Sequence, residues 1–287
     1  MTESANQCAP RLEQAPILIA TRFSFFGKSG WKSDASHDTE LLFHPDRLHQ
    51  RLRLFRAVNL ASLALQGDPD FHHLILTSSA LPEWAMTELQ NLCLTAYGDP
   101  QRFTILARRP CRARVPLREF MLDRFANSAV VQVVLDDDDG LATDFVSTLR
   151  RDLRETEKQL PEVCNNLPYF VSYPLGYGLS LRNEEDRPAD LYLHRYPYIN
   201  LGLTLIGQPE GKNIFAIDHR AAPRRYGARL LGERTMFVRS LHDFNDSRVT
   251  VGEKWRVLDS WTKEPELQNR FPYLFQPGAP WKVPNEF

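Results

Sequence analysis

Several signatures are missing from this chain, and each absence narrows its function. No apolar run approaches the roughly 18 residues that a membrane-spanning helix needs, so a membrane-bound substrate would be met peripherally. Residues 1–16 are polar and lack the apolar segment of a secretion signal, which points to a cytoplasmic protein, at most peripheral at the inner membrane. Cysteine is scarce. Cys8, Cys93, Cys111 and Cys164 lie far apart and form no CxxC pair, which excludes the usual zinc and redox motifs and leaves free thiols as the expectation. Basic and acidic residues nearly cancel, 35 against 36, for a net charge of -1. That balance does not supply the broad basic surface that nucleic-acid binding uses.

What is present is an ordinary globular composition, 43% hydrophobic and 25% charged. After a polar leader over 1–15, expected to be disordered, apolar runs and helical patterns alternate. Strands are predicted at Ile17–Ala20, Leu74–Leu76, Phe103–Leu106 and Ala129–Leu135, the last being the strongest, continuous and rich in valine. Helices are predicted from Pro45 to about Leu65, from Pro82 to Leu94, from Pro116 to Asn127 and from about Thr143 to Lys158. Strand–helix alternation implies an α/β fold with a mostly parallel sheet flanked by helices, in which ligands bind beyond the C-terminal strand ends. Thr21-Arg22, Thr77-Ser78-Ser79 and Asp136–Asp139 all follow strands and should converge there. Past Leu160 the apolar runs shorten and Pro, Tyr and Gly increase, which predicts a mixed β/loop half over 161–287 belonging to the same domain. Its last stretch, Pro265 to Phe287, is expected to wrap as an extended tail.

The run Asp136-Asp137-Asp138-Asp139 carries the chemistry. Four adjacent carboxylates at a strand end repel one another, at about 1 kcal/mol per close pair even in water-like surroundings. Oxygen donors of this kind suit Mn²⁺ or Mg²⁺, and such an ion can also hold the two phosphates of a nucleoside diphosphate. A solvated turn capping the next helix is the bland alternative, but one aspartate suffices for a cap. An EF-hand does not fit: counted from Gly140, its first and last ligand positions fall on Leu135 and Val146. The run reads as Asp-x-Asp in more than one register.

Taken together, Thr21-Arg22-Phe23, Arg51-Leu52-x-Leu54-Phe55, the segment Leu135 to Leu141 with Asp144-Phe145, and a late His242-Asp243-x-Asn245 resemble the rhamnosyltransferase family of bacteria. The resemblance covers most of 16–250 and implies a GT-A-type glycosyltransferase fold. It implies that Asp138 or Asp139 ligates the metal, that His242 completes that site, and that Asp136 faces the ribose or a metal-bound water. Thr21, Arg22, Arg51, Asp136 and Asp137 are then expected around the nucleotide. The chain departs from the family pattern in having Asp137 where asparagine is usual, and Ser78-Ser79 where an acid often stands.

The expected activity is metal-dependent transfer of a hexose or deoxyhexose from a nucleoside-diphosphate sugar to a saccharide or lipid-linked acceptor. An inverting reaction needs a carboxylate to deprotonate the acceptor. Asp243, Asp218 and Glu233 are the candidates, unranked, and a retaining reaction would need none. The basic stretch Asp218-His219-Arg220 with Arg224-Arg225-Tyr226 is either a closing loop over the donor or an exposed surface. Tyr192, Tyr196, Tyr198 and Trp31 are either sugar-stacking surfaces or core. Two rivals remain. A sugar-phosphate nucleotidyltransferase would usually carry a Gly-rich basic loop after the first strand, where this chain has Ser24-Phe25-Phe26. The other is a non-catalytic nucleotide or metal-binding module.

Overall fold

A computed structural model describes residues 11–28, 38–126, 128–181, 189–232, 234–242, 255–277 and 279–281. In the first half, strands β1 (Ile17–Arg22) and β2 (Gly27–Lys28) precede helices α1 (Thr39–Leu42), α2 (Pro45–Leu54) and α3 (Ala61–Ala64). Then come β3 (His72–Ser78), α4 (Glu83–Tyr97), β4 (Phe103–Arg108), β5 (Cys111–Arg112), α5 (Arg114–Phe125), β6 (Val130–Val134), β7 (Gly140–Leu141) and α6 (Phe145–Gln159). The second half holds β8 (Tyr169–Ser172), β9 (Leu175–Ser180), β10 (Asp190–Arg195), β11 (Thr204–Gly207), α7 (Ala222–Arg225), β12 (Gly227–Leu230), β13 (Thr235–Leu241), β14 (Arg256–Val257) and α8 (Pro265–Arg270).

Among the described residues the main sheet has seven strands in the order β12-β8-β11-β6-β1-β3-β4. Strands β6, β1, β3 and β4 are mutually parallel, with Ala20 facing Leu74 on one side and Val134 on the other. Strand β11 runs antiparallel to both β6 and β8, and β12 is parallel to β8. This is the α/β layout expected of the sequence: a mostly parallel sheet flanked by helices, followed by a mixed β part. The second half adds strands to the first half's own sheet, so the two share backbone hydrogen bonds. A smaller sheet, β14-β10-β9-β13-β7, packs beside it and ties the acidic run to the second half, because β7 leaves that run directly and pairs with β13.

Strand alternation explains the two-sided core. Ile17 and Ile19 point to one face and pack with Leu48, Leu52, Phe55, Leu89 and Leu149 of the helices there. Leu18 and Ala20 point to the other, against Leu117, Met121 and Ile214. Each large aliphatic side chain buried this way contributes about 1.5–3 kcal/mol. Helices α2 and α3 are one continuous rod joined by a π-helical stretch, Phe55–Leu60. That extra-wide turn shifts the phase of the side chains beyond it.

Two expectations are corrected. The leader is packed where it is described: Leu12 and Ala15 are buried, and Arg150 Nη1 donates to the Glu13 carbonyl at 2.7 Å. The C-terminal stretch is not an extended tail through 265–275; it forms α8 and a 3-10 turn, Pro272–Phe275. Phe271, Tyr273, Leu274 and Trp281 are buried against Val58, Ala142 and Tyr177, because aromatics this numerous are covered best by a compact helical plug.

Candidate active site

The acidic turn begins where β6 runs out of sheet partners. Leu135 is still buried, and the chain reverses with the Asp139 N–H donating to the Asp136 carbonyl at 3.2 Å before entering β7. Each aspartate has its own environment. The Asp136 Oδ1 accepts from Arg22 Nη2 at 3.0 Å, and its carbonyl accepts from Asn59 Nδ2 at 2.9 Å. Asp137 is completely buried and forked by Arg51 through Nε, at 3.0 Å, and Nη2. The Asp138 Oδ2 accepts from Arg51 Nη1 at 3.1 Å and from His242 Nε2 at 2.9 Å. The Asp139 Oδ1 accepts the Ser240 N–H at 2.9 Å.

These surroundings split the ionisation of neighbouring carboxyls. Burial would raise Asp138, but the Arg51 guanidinium and His242 outweigh it and hold that carboxyl well below the usual range. Burial and the adjacent Asp138 and Asp136 charges push Asp139 well above it, only partly offset by Arg239 and the Ser240 N–H. The run therefore receives most of its counter-charge from arginines of the chain. Mutual repulsion among the four aspartates does not by itself require a metal ion.

The turn is gripped from below. Arg270 forks Asp144 at 2.8 and 3.0 Å, and its carbonyl accepts the Thr143 N–H. The buried Tyr273 hydroxyl, which has no hydrogen-bond partner among the described residues, faces Gly140. A Cβ at Gly140 would lie 2.7 Å from that oxygen and 3.0 Å from Val58 Cγ1. Gly140→Ala is expected to cost about 1–3 kcal/mol, read as a lower urea midpoint. An unchanged midpoint would mean that the floor under the turn yields freely.

A cleft of about 590 Å³ opens beside the turn. Arg22, Lys28, Asp136, Asp139 and Arg239 line it, together with Tyr196, Asn200, Phe215, Asp218, His219 and Arg220. The Arg22 guanidinium also lies 5.0 Å over the Phe215 ring. His219 Nδ1 is 2.7 Å from the Tyr198 carbonyl, to which it donates, so this histidine fixes the loop that carries Asp218. His194 stacks on Trp255 with ring centroids 3.9 Å apart. Burial and then Arg239 lower its pKa to about 4, so the ring is neutral near pH 7.

Arg22, Asp136, Asp139 and Asp218 thus share the cleft, and Asp138 and His242 meet beside it. Arg51 and Asp137 do not line it; they form the buried brace behind the turn. Thr21 is corrected. It is fully buried, with its hydroxyl 2.9 Å from His73 Nε2, because neighbouring strand residues face opposite sides and Arg22 takes the cleft side. Arg224 and Arg225 are exposed on α7 and do not line the cleft. Asp243, Asn245, Glu233 and Trp31 lie outside the described residues. Sequence reasoning missed Arg239, Lys28, Ser240 and Asn59. Only Asn59 left a signal, as a lone amide in an apolar helical stripe, and the π-helical stretch is what aims it at the turn.

No curated protein gives a significant match. Among solved structures, S. aureus TarS 1-349 aligns at 9% identity with a TM-score of 0.38, over 78% of this chain and 60% of that one. UTP-bound UGPase from Acinetobacter baumannii aligns at 9% identity with a TM-score of 0.32, over 93% and 96%. HddC from Yersinia pseudotuberculosis aligns at 9% identity with a TM-score of 0.30, over 79% and 89%. These are distant likenesses, and this chain spans only about three-fifths of the TarS fragment. The decisive match is to the family described as "Putative rhamnosyl transferase", over residues 16–254. Most of the chain lies within that match, so this protein belongs to the rhamnosyltransferase family.

Proposed function

We propose that the enzyme moves a hexose or deoxyhexose from a nucleoside-diphosphate sugar to a saccharide or lipid-linked acceptor, with Mn²⁺ or Mg²⁺ as cofactor. The observation that carries the metal reading is the 2.9 Å approach of Asp138 Oδ2 and His242 Nε2, which come from opposite halves of the chain. Two donors at about 2.1 Å from one octahedral ion sit about 3 Å apart, so this pair suits one ion. Among the described residues no cluster of three or more acidic, His or Cys side chains forms a ready-made cage. The donor's phosphates and water would complete the shell, with Asp139 the third protein group at hand. Bound there, the ion would neutralise charge on the departing diphosphate.

The chain's own groups divide the remaining work. Arg22 and Asn59 hold Asp136 so that its second carboxylate oxygen can accept a ribose hydroxyl. Arg51 keeps the turn rigid from behind, which preserves the placement of every donor group. Asp218, which also lines the cleft, is the described carboxylate proposed to take the acceptor hydroxyl's proton. The Arg220 N–H and the Arg220 side chain outweigh burial and lower its pKa, so it is ionised at neutral pH. Asp243 is the other carboxylate proposed for that role. Among the described residues no helix is long and apolar enough to cross a membrane, so a lipid-linked acceptor would be reached peripherally.

The test is incubation with Mn²⁺ and a panel of UDP, dTDP and GDP sugars, assaying released nucleoside diphosphate with and without EDTA. Metal-dependent release supports the proposal. Pyrophosphate-dependent exchange would instead indicate a nucleotidyltransferase. Binding without turnover would indicate a passive module, and release indifferent to EDTA would remove the metal from the reading.

A further inference from the structure

The chain as a whole is almost neutral, with 35 basic and 36 acidic residues, but the stretch 108–118 holds five arginines and no acid. Arg108 reaches Glu119 at 3.8 Å. Arg109, Arg112, Arg114 and Arg118 are exposed, and none of these four makes an ion pair or side-chain hydrogen bond among the described residues. Helix α5 continues the pattern. Arg114, Arg118 and Leu122 follow one another at intervals of four residues and Val115 lies beside them, so all four fall within an arc of about 100° of the helix. The acids of α5, Glu119 and Asp123, lie beyond that arc. Val115 and Leu122 are 43% and 36% exposed, while α5 makes its core contact through Leu117 and Met121. The strip adjoins the cleft. Lys28, which lines the cleft, pairs with Arg112 between β2 and β5. Asn213, which precedes the cleft residues Ile214 and Phe215, donates through Nδ2 to the Arg114 carbonyl at 2.7 Å.

We propose that this strip docks the protein on an anionic bilayer: the arginines meet lipid phosphates, Val115 and Leu122 enter the interface, and the cleft is held next to the lipid surface. This deepens the lipid-linked branch of the acceptor reading above and rests on it. The two kinds of contact work together. Guanidinium forks match phosphate oxygens with paired hydrogen bonds. Each such cation is worth about fivefold in partitioning onto an anionic surface. That attraction fades within a Debye length of about 10 Å, so it holds only what comes into close contact. The exposed aliphatic side chains supply the contact, since the acyl boundary of a bilayer accepts apolar groups. An acidic polysaccharide offers the same charge without an apolar layer and would leave Val115 and Leu122 in water. The interleaving of both residue types on one face is what favours a membrane.

The experiment is flotation of the full chain, without metal or nucleotide, with vesicles of phosphatidylcholine alone and of phosphatidylcholine mixed with phosphatidylglycerol. Wild type should bind the mixed vesicles, leave the neutral ones, and lose most of its binding at high salt. Arg112→Gln/Arg114→Gln should bind roughly tenfold or more weakly. Val115→Ser/Leu122→Ser should weaken binding several-fold and keep its salt dependence. Arg53→Gln/Arg56→Gln removes the same charge from the exposed side of α2 and its π-helical extension, and should bind nearly as wild type does. All the substituted residues are exposed, so every variant should keep the wild-type urea midpoint. Equal weakening by both arginine pairs would mean that overall charge, not this strip, holds the vesicle, and would overturn the proposal. Binding indifferent to lipid charge, or unchanged in Val115→Ser/Leu122→Ser, would overturn it as well. Binding to soluble polygalacturonate but to neither vesicle would replace the membrane with an acidic polysaccharide. Neither metal nor sugar nucleotide enters this measurement, so its failure is distinct from failure of the donor-release assay.

Discussion

Asp138→Asn is expected to lower kcat/KM for sugar transfer by at least about a hundredfold, equivalent to about 2.7 kcal/mol of transition-state stabilisation. Asparagine keeps the shape and one oxygen, so Arg51 Nη1 and His242 Nε2 still have an acceptor where they now meet Asp138 Oδ2. What disappears is the negative charge that makes this position a metal donor. The loss should therefore appear as a large rise in the Mn²⁺ concentration needed for half-maximal rate in an enzyme that still folds, with some lowering of the thermal midpoint because the buried carboxylate's charge is lost as well. An Asp138→Asn enzyme with wild-type rate and metal requirement would remove this carboxylate from the metal site. Asp139→Asn is the informative companion. Its carboxyl is already pushed towards the neutral form by burial and by its two neighbours, so replacing it changes the resting charge less than replacing Asp138 does.

The largest stability effect is expected at Arg51. Arg51→Met fills a similar volume but leaves Asp137 fully buried without the guanidinium that forks it, and removes a partner of Asp138. Breaking a buried pair from one side costs about 3–5 kcal/mol, since the remaining charge is stranded. That would consume a large share of the roughly 5–15 kcal/mol by which domains are usually stable. The measurement is urea unfolding followed by circular dichroism, with Arg51→Lys as the intermediate case: it retains a cation but cannot span Asp137 and Asp138 together. A wild-type midpoint in Arg51→Met would mean that Asp137 finds another counter-charge or is protonated. The same substitution should abolish transfer, because the turn that positions Asp136, Asp138 and Asp139 is built on this brace.

The contrast between Arg51 and Arg22 shows where sequence reading stops. The sequence places both near the nucleotide. Arg22 follows strand alternation and leaves β1 on the cleft side. Arg51 sits on the inward face of α2, and only the packing of that helix under the turn makes it a brace. Thr21 departs from expectation for a similar reason: strand position predicts the edge correctly, but one residue decides the face, and the hydroxyl goes to His73. Arg239 is illegible in the sequence because nothing local to β13 announces that its neighbour's N–H will hold a carboxylate about a hundred residues earlier. The C-terminal plug differs from the expected tail because apolar and aromatic content reveals that a segment will be buried without revealing its shape.

By itself the sequence determined the fold class, the order of the parallel strands' elements and the strand end at which the acidic run lies, since hydrophobic periodicity and chain alternation are local properties. Only the tertiary structure decided what each aspartate does. Four chemically identical side chains became a cleft carboxylate, a buried anchor, a partner for His242 and a carboxyl beside Arg239, because their counter-charges arrive from α2, β1 and β13. Electrostatics falls off with distance in space, not along the chain, and that distance is set by packing.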